Sequence, residues 1–282
     1  MSLRYAYNTN GIANHRLDDA LDLIAESGYD GVAITLDHHH LDPFAHDFDA
    51  SLARFARRLR DLGLGCVVET GARFLLDPRA KHEPTLVSPS AEGRARRVDF
   101  LQRALAVAAA TEAEAVSFWA GVPKPDTDRE RARAWLVEGV ANVVARAREL
   151  GTVAALEPEP GMLVETLDDY REIARAVPGL RLALDTGHVI VTGEREPADA
   201  VREAAAELAT VSIEDMRRGE HIHLPFGEGD MDIASVLGAL REIGYARLVC
   251  VELSRDAHRA DVMVPRALRY LREHENLCAS AS

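Results

Sequence analysis

Eight short apolar runs, at residues 4–8, 31–36, 66–70, 115–120, 152–157, 180–185, 210–215 and 247–254, recur along the whole chain and alternate with segments of helical periodicity. Runs this short, bounded by glycine, proline or polar turns, read as buried strands. Between them the spacing changes. Residues 17–27 follow an Asn-His-Arg turn, residues 52–62 carry Leu-x-x-Phe-x-x-x-Leu, and residues 127–150 open on Thr-Asp-x-Glu, a capping-box pattern, and stop at Gly151. Strict alternation demands parallel strands joined by helical crossovers, and eight repeats favour a sheet closed on itself. The expected fold is therefore α/β, a single-domain (β/α)8 TIM barrel over residues 1–282. A doubly wound open sheet would want a phosphate-binding glycine loop after its first strand, and Asn8-Thr9-Asn10-Gly11 is not one.

Charge and composition exclude other classes. With 33 basic against 46 acidic residues, net -13, the chain would repel a nucleic acid backbone. Its 47% hydrophobic and 28% charged residues are ordinary for a globular enzyme. The three cysteines, Cys66, Cys250 and Cys278, are odd in number and far apart, which points to thiols in a reducing compartment. The first residues show no basic-then-apolar signal pattern and no apolar stretch approaches membrane-spanning length, so a cytoplasmic protein with no membrane partner is expected.

The alternation within the strands locates a pocket. One face carries Val32/Ile34, Val116/Phe118, Leu182/Leu184, Val211/Ile213 and Val249/Val251, bulky groups suited to packing under helices. The other carries Ala33/Thr35, Ser117/Trp119, Ala155/Glu157, Ala183/Asp185, Ser212/Glu214 and Cys250/Glu252, small residues followed by a polar tip. In a barrel those tips converge at the C-terminal face, so Asp37, Glu69, Trp119, Glu157, Asp185, Glu214 and Glu252 are expected to ring one pocket. Long loops follow strands two and three. The first carries His38, His39, His40 and His46, read as a solvated run, and the second carries Arg73, Arg79, Lys81 and His82. In Leu-Asp-Thr-Gly-His, Asp185 ends a strand and His188 can return to it across a glycine turn, a carboxylate–imidazole pair suited to a metal; the plainer reading is a helix cap beside a loop histidine. Three carboxylates in one mouth, Glu157, Asp185 and Glu252, repel one another unless a cation sits among them. Oxygen-rich ligation favours a divalent ion, Mn²⁺ first, with Mg²⁺, Co²⁺ or Zn²⁺ as alternatives. The competing explanation is neutralisation by Arg181, Arg217 or Arg255.

Glu157 in Leu-Glu-Pro-Glu-Pro, Asp185 and His188 in Leu-Asp-Thr-Gly-His, the Ser-Ile-Glu-Asp-Met run, Gly227-Glu228-Gly229-Asp230 and Glu252 in Val-Glu-Leu-Ser together resemble the xylose isomerase-like TIM barrel superfamily. That group holds sugar-phosphate isomerases and epimerases, ketose 3-epimerases, inosose dehydratases and apurinic endonucleases. The resemblance runs the length of the chain and is strongest from strand five onward. It implies a metal held by Glu157, Asp185, a strand-seven histidine and Glu252, with His188 on the substrate. This chain departs from the pattern at strand seven, where the histidine position reads Ser212. Either the ion keeps an extra water, or His221 or His223 replaces the ligand, or metal binding is weakened; the nuclease branch also has a ligand at the position of His223, while solvent-facing loop histidines explain the pair equally well.

The implied chemistry is proton transfer on a small carbohydrate through an enediolate, with Glu157 and Glu252 as the acid/base pair. Glu69, His188 and Arg217 would meet substrate oxygens, and Trp119 or Phe74 would cover an apolar ring face. Dehydration of a cyclitol or keto-sugar is a second use of the same pocket, and a metal-poor, non-catalytic sugar-binding barrel a third, kept open by Ser212. Phosphodiester hydrolysis would want histidines at strand tips three and four, where Glu69/Thr70 and Ser117/Trp119 stand. A lone Asp-Thr-Gly does not make an aspartic protease, and Gly-Glu-Gly-Asp lacks the spacing of a dinucleotide loop. Arg79, Lys81, Arg217, Arg218, Arg255 and Arg259 leave free and phosphorylated sugars both open, as the sequence leaves a homo-oligomer open.

Overall fold

The computed structural model describes residues 2–280, with side chains through residue 276, so the Cys278 thiol lies outside the described residues. In chain order the strands are β1 (Arg4–Asn8), β2 (Gly31–Thr35), β3 (Gly65–Glu69), β4 (Val116–Trp119), β5 (Ala154–Glu157), β6 (Arg181–Asp185), β7 (Leu208–Ile213), β8 (Asp215–Arg217), β9 (Glu220–Leu224) and β10 (Leu248–Val251). Eight of them close into a parallel barrel in the order β1-β10-β7-β6-β5-β4-β3-β2, a TIM barrel of one domain, and β8 and β9 form a separate antiparallel hairpin. The helices are α1 (Leu17–Glu26), α2 (Phe48–Leu62), α3 (Ala91–Thr111), α4 (Arg129–Leu150), α5 (Leu167–Ala176), α6 (Thr186–Thr192), α7 (Pro197–Glu203), α8 (Ile233–Glu242) and α9 (Ala260–Ser280). Among the described residues no helix is long and apolar enough to cross a membrane.

The two strand faces separate as their side-chain sizes require. The bulky series, from Val32 and Ile34 round to Val249 and Val251, joins the large core shared with the helices. Inside the barrel two small clusters form on different strands, Ala6, Ala33, Val67, Leu248 and Cys250 in one and Ala115, Ala155, Ala183 and Ala209 in the other. Small inward residues leave the mouth to the longer polar tips. Pairing then sets the tips at common heights: Glu69 beside Ser117, Trp119 beside Glu157, and Asp185 beside Ser212. A bulge in β7 after Leu208 resets its register against β6 and brings Ser212 to that level.

Two local expectations change. The helix expected to open at Thr127 starts at Arg129, because Asp128 is the cap, accepting the N–H of Arg131 at 2.9 Å. An arginine at that third helical position cannot reach back as a capping-box glutamate would. The apolar run expected to continue to residue 215 leaves the barrel after Ile213. Asp215 explains this departure: its carboxylate accepts backbone N–H bonds from Gly227 (2.9 Å), Gly229 (3.0 Å) and Met231 (3.1 Å). Gly-Glu-Gly-Asp is thus a collar around a buried carboxylate that ties down the β8–β9 hairpin. A Cβ on Gly229 would collide with the Asp215 carboxylate and come within 2.6 Å of the Met216 carbonyl.

The floor of the barrel leaves equally little room. A Cβ at Gly31 would lie 2.6 Å from Leu248 Cδ1 and 2.9 Å from the Gly65 carbonyl, both on neighbouring parts of the sheet. Gly31→Ala should therefore overpack the floor and destabilise the protein by about 1–3 kcal/mol. The measurement is the urea midpoint, which should fall at an unchanged slope; an unchanged midpoint would mean that Leu248 yields freely.

Candidate active site at the barrel mouth

A cavity of about 530 Å³ opens at the C-terminal face, and Glu69, Trp119, Glu157, His188, His221, His223 and Glu252 all line it. They come from six pieces of the chain, His221 and His223 sharing β9. Glu157 ends β5 and accepts a hydrogen bond from Ser117 Oγ on β4 at 3.1 Å. Glu252, one residue past β10, accepts from Asn10 Nδ2 at 2.8 Å. Asp185 ends β6 and serves two purposes. Its Oδ1 caps α6 by accepting the N–H groups of Gly187 (2.7 Å) and His188 (3.0 Å), while Oδ2 lies 3.8 Å from His188 Nε2. One carboxylate thus caps α6 and faces the imidazole of His188.

His188 is the hub. Its Nδ1 contacts the Pro158 carbonyl at 3.0 Å, and since a carbonyl only accepts, Nδ1 carries a proton and Nε2 faces Asp185. The same Nδ1 lies 3.6 Å from Glu157 and 3.8 Å from Glu159. Glu159 was not among the expected site residues. The Glu-Pro-Glu spacing was the available signal, because residues two apart in extended chain point the same way. The hairpin adds His221 and His223, with ring centroids 4.7 Å and 6.4 Å from that of His188, and His221 Nε2 is 3.7 Å from Glu159.

The arginine explanation for the acids finds no support in the contacts. Arg181 bonds the Ala206 and Leu208 carbonyls at the start of β7, the opposite end of the barrel from the mouth. Arg217 is exposed and Arg255 stands at the rim; among the described residues no arginine forms an ion pair with Glu69, Glu157, Glu159, Asp185 or Glu252. The residue set fits a divalent cation. Glu157, Asp185 and His188 offer ligand atoms all within 4.8 Å of one another, as do Glu159, His188 and His221. Glu69 Oε1, Asp185 Oδ2 and His223 Nδ1 are buried with no hydrogen-bond partner.

Electrostatics reflects the crowding. Burial pushes the Glu69 and Glu157 carboxyls well above their ordinary range, and Glu252 and Glu159 respectively push further. Glu159 is raised to about 7, first by burial and then by Asp185 and Glu252, against the lowering effect of His188. Burial opposes ionisation of Asp185 too, but His188 and the neighbouring Glu214 outweigh it and hold the group below its ordinary range. His188 is raised in return, its carboxylate neighbours overcoming burial. His221 is pushed down to about 4 by burial and by His188, so it stands neutral with a free lone pair.

Other expected residues fall elsewhere. Phe74 is 49% exposed and, like Arg217, does not line the cavity. Ser212 is buried in register with Asp185 and Cys250, and its carbonyl accepts from Thr186 Oγ1 at 3.0 Å. Asp37 turns to the N–H and ring of His38 (2.7 and 2.6 Å), and Glu214 packs beneath α6, where a Cβ on Gly187 would collide with it; neither lines the cavity. Residues 38–40 and His46 also lie outside it. Trp119 does line it, with the wholly buried Arg97 stacked 4.2 Å behind its ring and His82 edge-on at 5.5 Å. That sandwich fixes the plane of the indole.

Residues 21–274 match the family model described as xylose isomerase-like TIM barrel. The chain belongs to that family. Similar solved structures include L-ribulose 3-epimerase (TM-score 0.79, 19% identity, 99% of this chain and 97% of that one), D-allulose 3-epimerase from Methylomonas sp. (0.76, 20%, 96% and 98%) and 3-keto-D-glucoside 4-epimerase from E. coli (0.76, 17%, 96% and 100%). At these identities the likeness establishes a shared fold.

The raised carboxyls make the metal-free protein sensitive to alkali. For Glu159 the folded pKa of about 7 exceeds the ordinary 4.5, so its contribution to stability is present below about 4.5 and lost as pH rises through 7. The loss is on the order of 3 kcal/mol for this group. Chelator-treated protein should show a thermal midpoint that falls between pH 5 and 8, and Glu159→Gln should flatten part of that slope. A midpoint rising over the same interval would contradict the assignment.

Proposed function

We propose that this protein is a divalent-metal-dependent isomerase or epimerase of a small sugar, moving a carbon-bound proton beside a carbonyl. The observation that carries the reading is the pair of anchored carboxylates, Glu157 and Glu252, at the ends of non-adjacent strands of one cavity that His188 also lines. Names of similar structures, D-allulose and L-ribulose 3-epimerases among them, agree with a ketose-like substrate.

Glu157 and Asp185, whose ligand atoms cluster with those of His188, would hold the ion together with Glu252, with His221 or His223 able to supply the nitrogen that Ser212 does not. When bound, such an ion polarises a carbonyl and the adjacent hydroxyl, lowering the cost of charge on oxygen. Glu157, fixed by Ser117, removes the proton from the carbon beside the carbonyl, and Glu252, fixed by Asn10, returns one from the other side. His188, with Nδ1–H tied to the Pro158 carbonyl, lines the cavity where its ring can meet a substrate oxygen. Trp119, held flat by Arg97, packs the apolar face of the sugar and keeps water away.

Turnover of a responding ketose in deuterium oxide should place solvent deuterium at the carbon that changes configuration. Glu157→Gln and Glu252→Gln should each lower kcat by roughly 10²–10⁴. Retention of the original hydrogen throughout turnover would replace proton transfer by a hydride shift, and a product lighter by one water would establish dehydration.

Ser212→His adds an imidazole at the level of Asp185. It should tighten Zn²⁺ and Co²⁺ more than Mg²⁺ in calorimetric titration, because imidazole contributes most to borderline ions. If His221 or His223 already fills that role, His221→Ala or His223→Ala should weaken the same ions instead. Identical isotherms for all three variants would place β7 and the hairpin outside the coordination sphere.

A further inference from the structure

His82 lines the cavity from the loop after β3 and belongs to neither cluster of metal-ligand atoms. Its backbone is left-handed, φ +68°, a conformation that a residue with a side chain keeps only where its surroundings impose it. The bonds that impose it are its own. The His82 N–H donates to the Arg73 carbonyl at 2.6 Å, and its Nδ1 meets the Gly71 carbonyl. Because a carbonyl only accepts, Nδ1 carries the proton and Nε2 keeps a lone pair. Among the described residues Nε2 has no hydrogen-bond partner, and it is not one of the sealed, unpartnered polar atoms of the interior, so it is open to a ligand. Protein donors on the same wall are committed elsewhere: Thr70 Oγ1 to the Ser117 carbonyl at 2.7 Å and Ser117 Oγ to Glu157 at 3.1 Å. The imidazole stands against Trp119 with ring centroids 5.5 Å apart and planes at 88°, so indole and imidazole meet as floor and wall.

We infer that His82 is a specificity-determining residue, whose Nε2 accepts a hydrogen bond from one substrate hydroxyl while the apolar face of the sugar rests on Trp119. The inference rests on the isomerase reading and adds a substrate contact to that site. A hydroxyl is the group that fits this nitrogen. It donates, where a phosphate or carboxylate oxygen would bring a second lone pair, and it carries no charge to be repelled by Lys81, Arg97 and Arg73, as an ammonium would. The ring also stays in its accepting form. Burial, followed by those three cations, pushes its pKa down to about 4 against the raising effect of the bond to Gly71. A fixed tautomer makes the contact selective, because an analogue without the hydroxyl leaves the lone pair unmet in a partly desolvated wall.

Ribitol, a linear polyol without a carbonyl, is the probe, titrated into metal-loaded protein whose histidines carry heavy nitrogen for magnetic resonance. The His82 signals are those lost in His82→Asn, a substitution chosen because asparagine tolerates a left-handed backbone. In the free protein at neutral pH, Nδ1 should resonate as a protonated and Nε2 as an unprotonated ring nitrogen, and ribitol should move Nε2 upfield as it takes up a hydrogen bond. By calorimetry His82→Asn should weaken ribitol by about three- to tenfold, the worth of one neutral hydrogen bond, with bound metal and circular dichroism unchanged. A protonated Nε2 in the free protein, no binding of ribitol, an Nε2 signal unmoved at saturation, or equal affinity in His82→Asn each overturns the assignment. A role confined to holding the loop would lower affinity without moving Nε2, so the spectrum separates contact from support. Metal content and deuterium exchange with a responding ketose are read independently, so the His82 contact can fall while the proton-transfer reading stands, or the reverse.

Discussion

Mutual repulsion among buried carboxylates is the constraint on which the mouth of this barrel depends. Glu69, Glu157, Glu159 and Asp185 approach one another in a site largely withdrawn from water, and Glu252 joins them electrostatically. In the absence of a cation the fold meets that cost with protons and with one imidazole: Glu69, Glu157 and Glu214 are raised, and His188 is shared between Asp185, Glu157 and Glu159. Such an arrangement stores unfavourable energy that a divalent ion would relieve, which couples ligand binding to stability. A barrel selected for stability alone would not place these acids together.

The second organising element is a carboxylate that does no chemistry. Asp215 gathers three backbone N–H groups from residues 227–231 and so fixes where the chain goes after β7. The hairpin it anchors carries His221 and His223 back over α6 to His188. Removing those bonds would leave buried donors unpaired and release both histidines from the site. A structural acid and a loop of glycines thereby determine which nitrogen atoms can serve at the mouth.

Around this centre the walls are specialised by charge and by shape. Trp119 is held by cation stacking on one side and an imidazole edge on the other, which preserves a flat apolar surface within a polar cavity. Lys81 and Arg255 line the same cavity from the loops after β3 and β10, beside Glu69 and Glu252.

The periodicity of the sequence was enough to determine the barrel, its inner and outer strand faces and the acids at its tips, because alternation of side chains is a local property that every parallel strand expresses in the same way. Glu157, Asp185, His188 and Glu252 were legible for that reason, since each sits at or just past the end of a strand. Long-range geometry decided the rest. That Arg181 lies at the opposite end of the barrel, that Arg217 and Phe74 stay outside the cavity, and that Asp37 and Glu214 turn elsewhere follow from packing between segments distant in sequence. Glu159 joined the site because Pro158 keeps the chain extended past the strand, and His221 and His223 joined it through bonds Asp215 makes 12 to 16 residues away. A loop's path is set by whichever buried donors and acceptors must find each other across the fold, and no local pattern encodes that search.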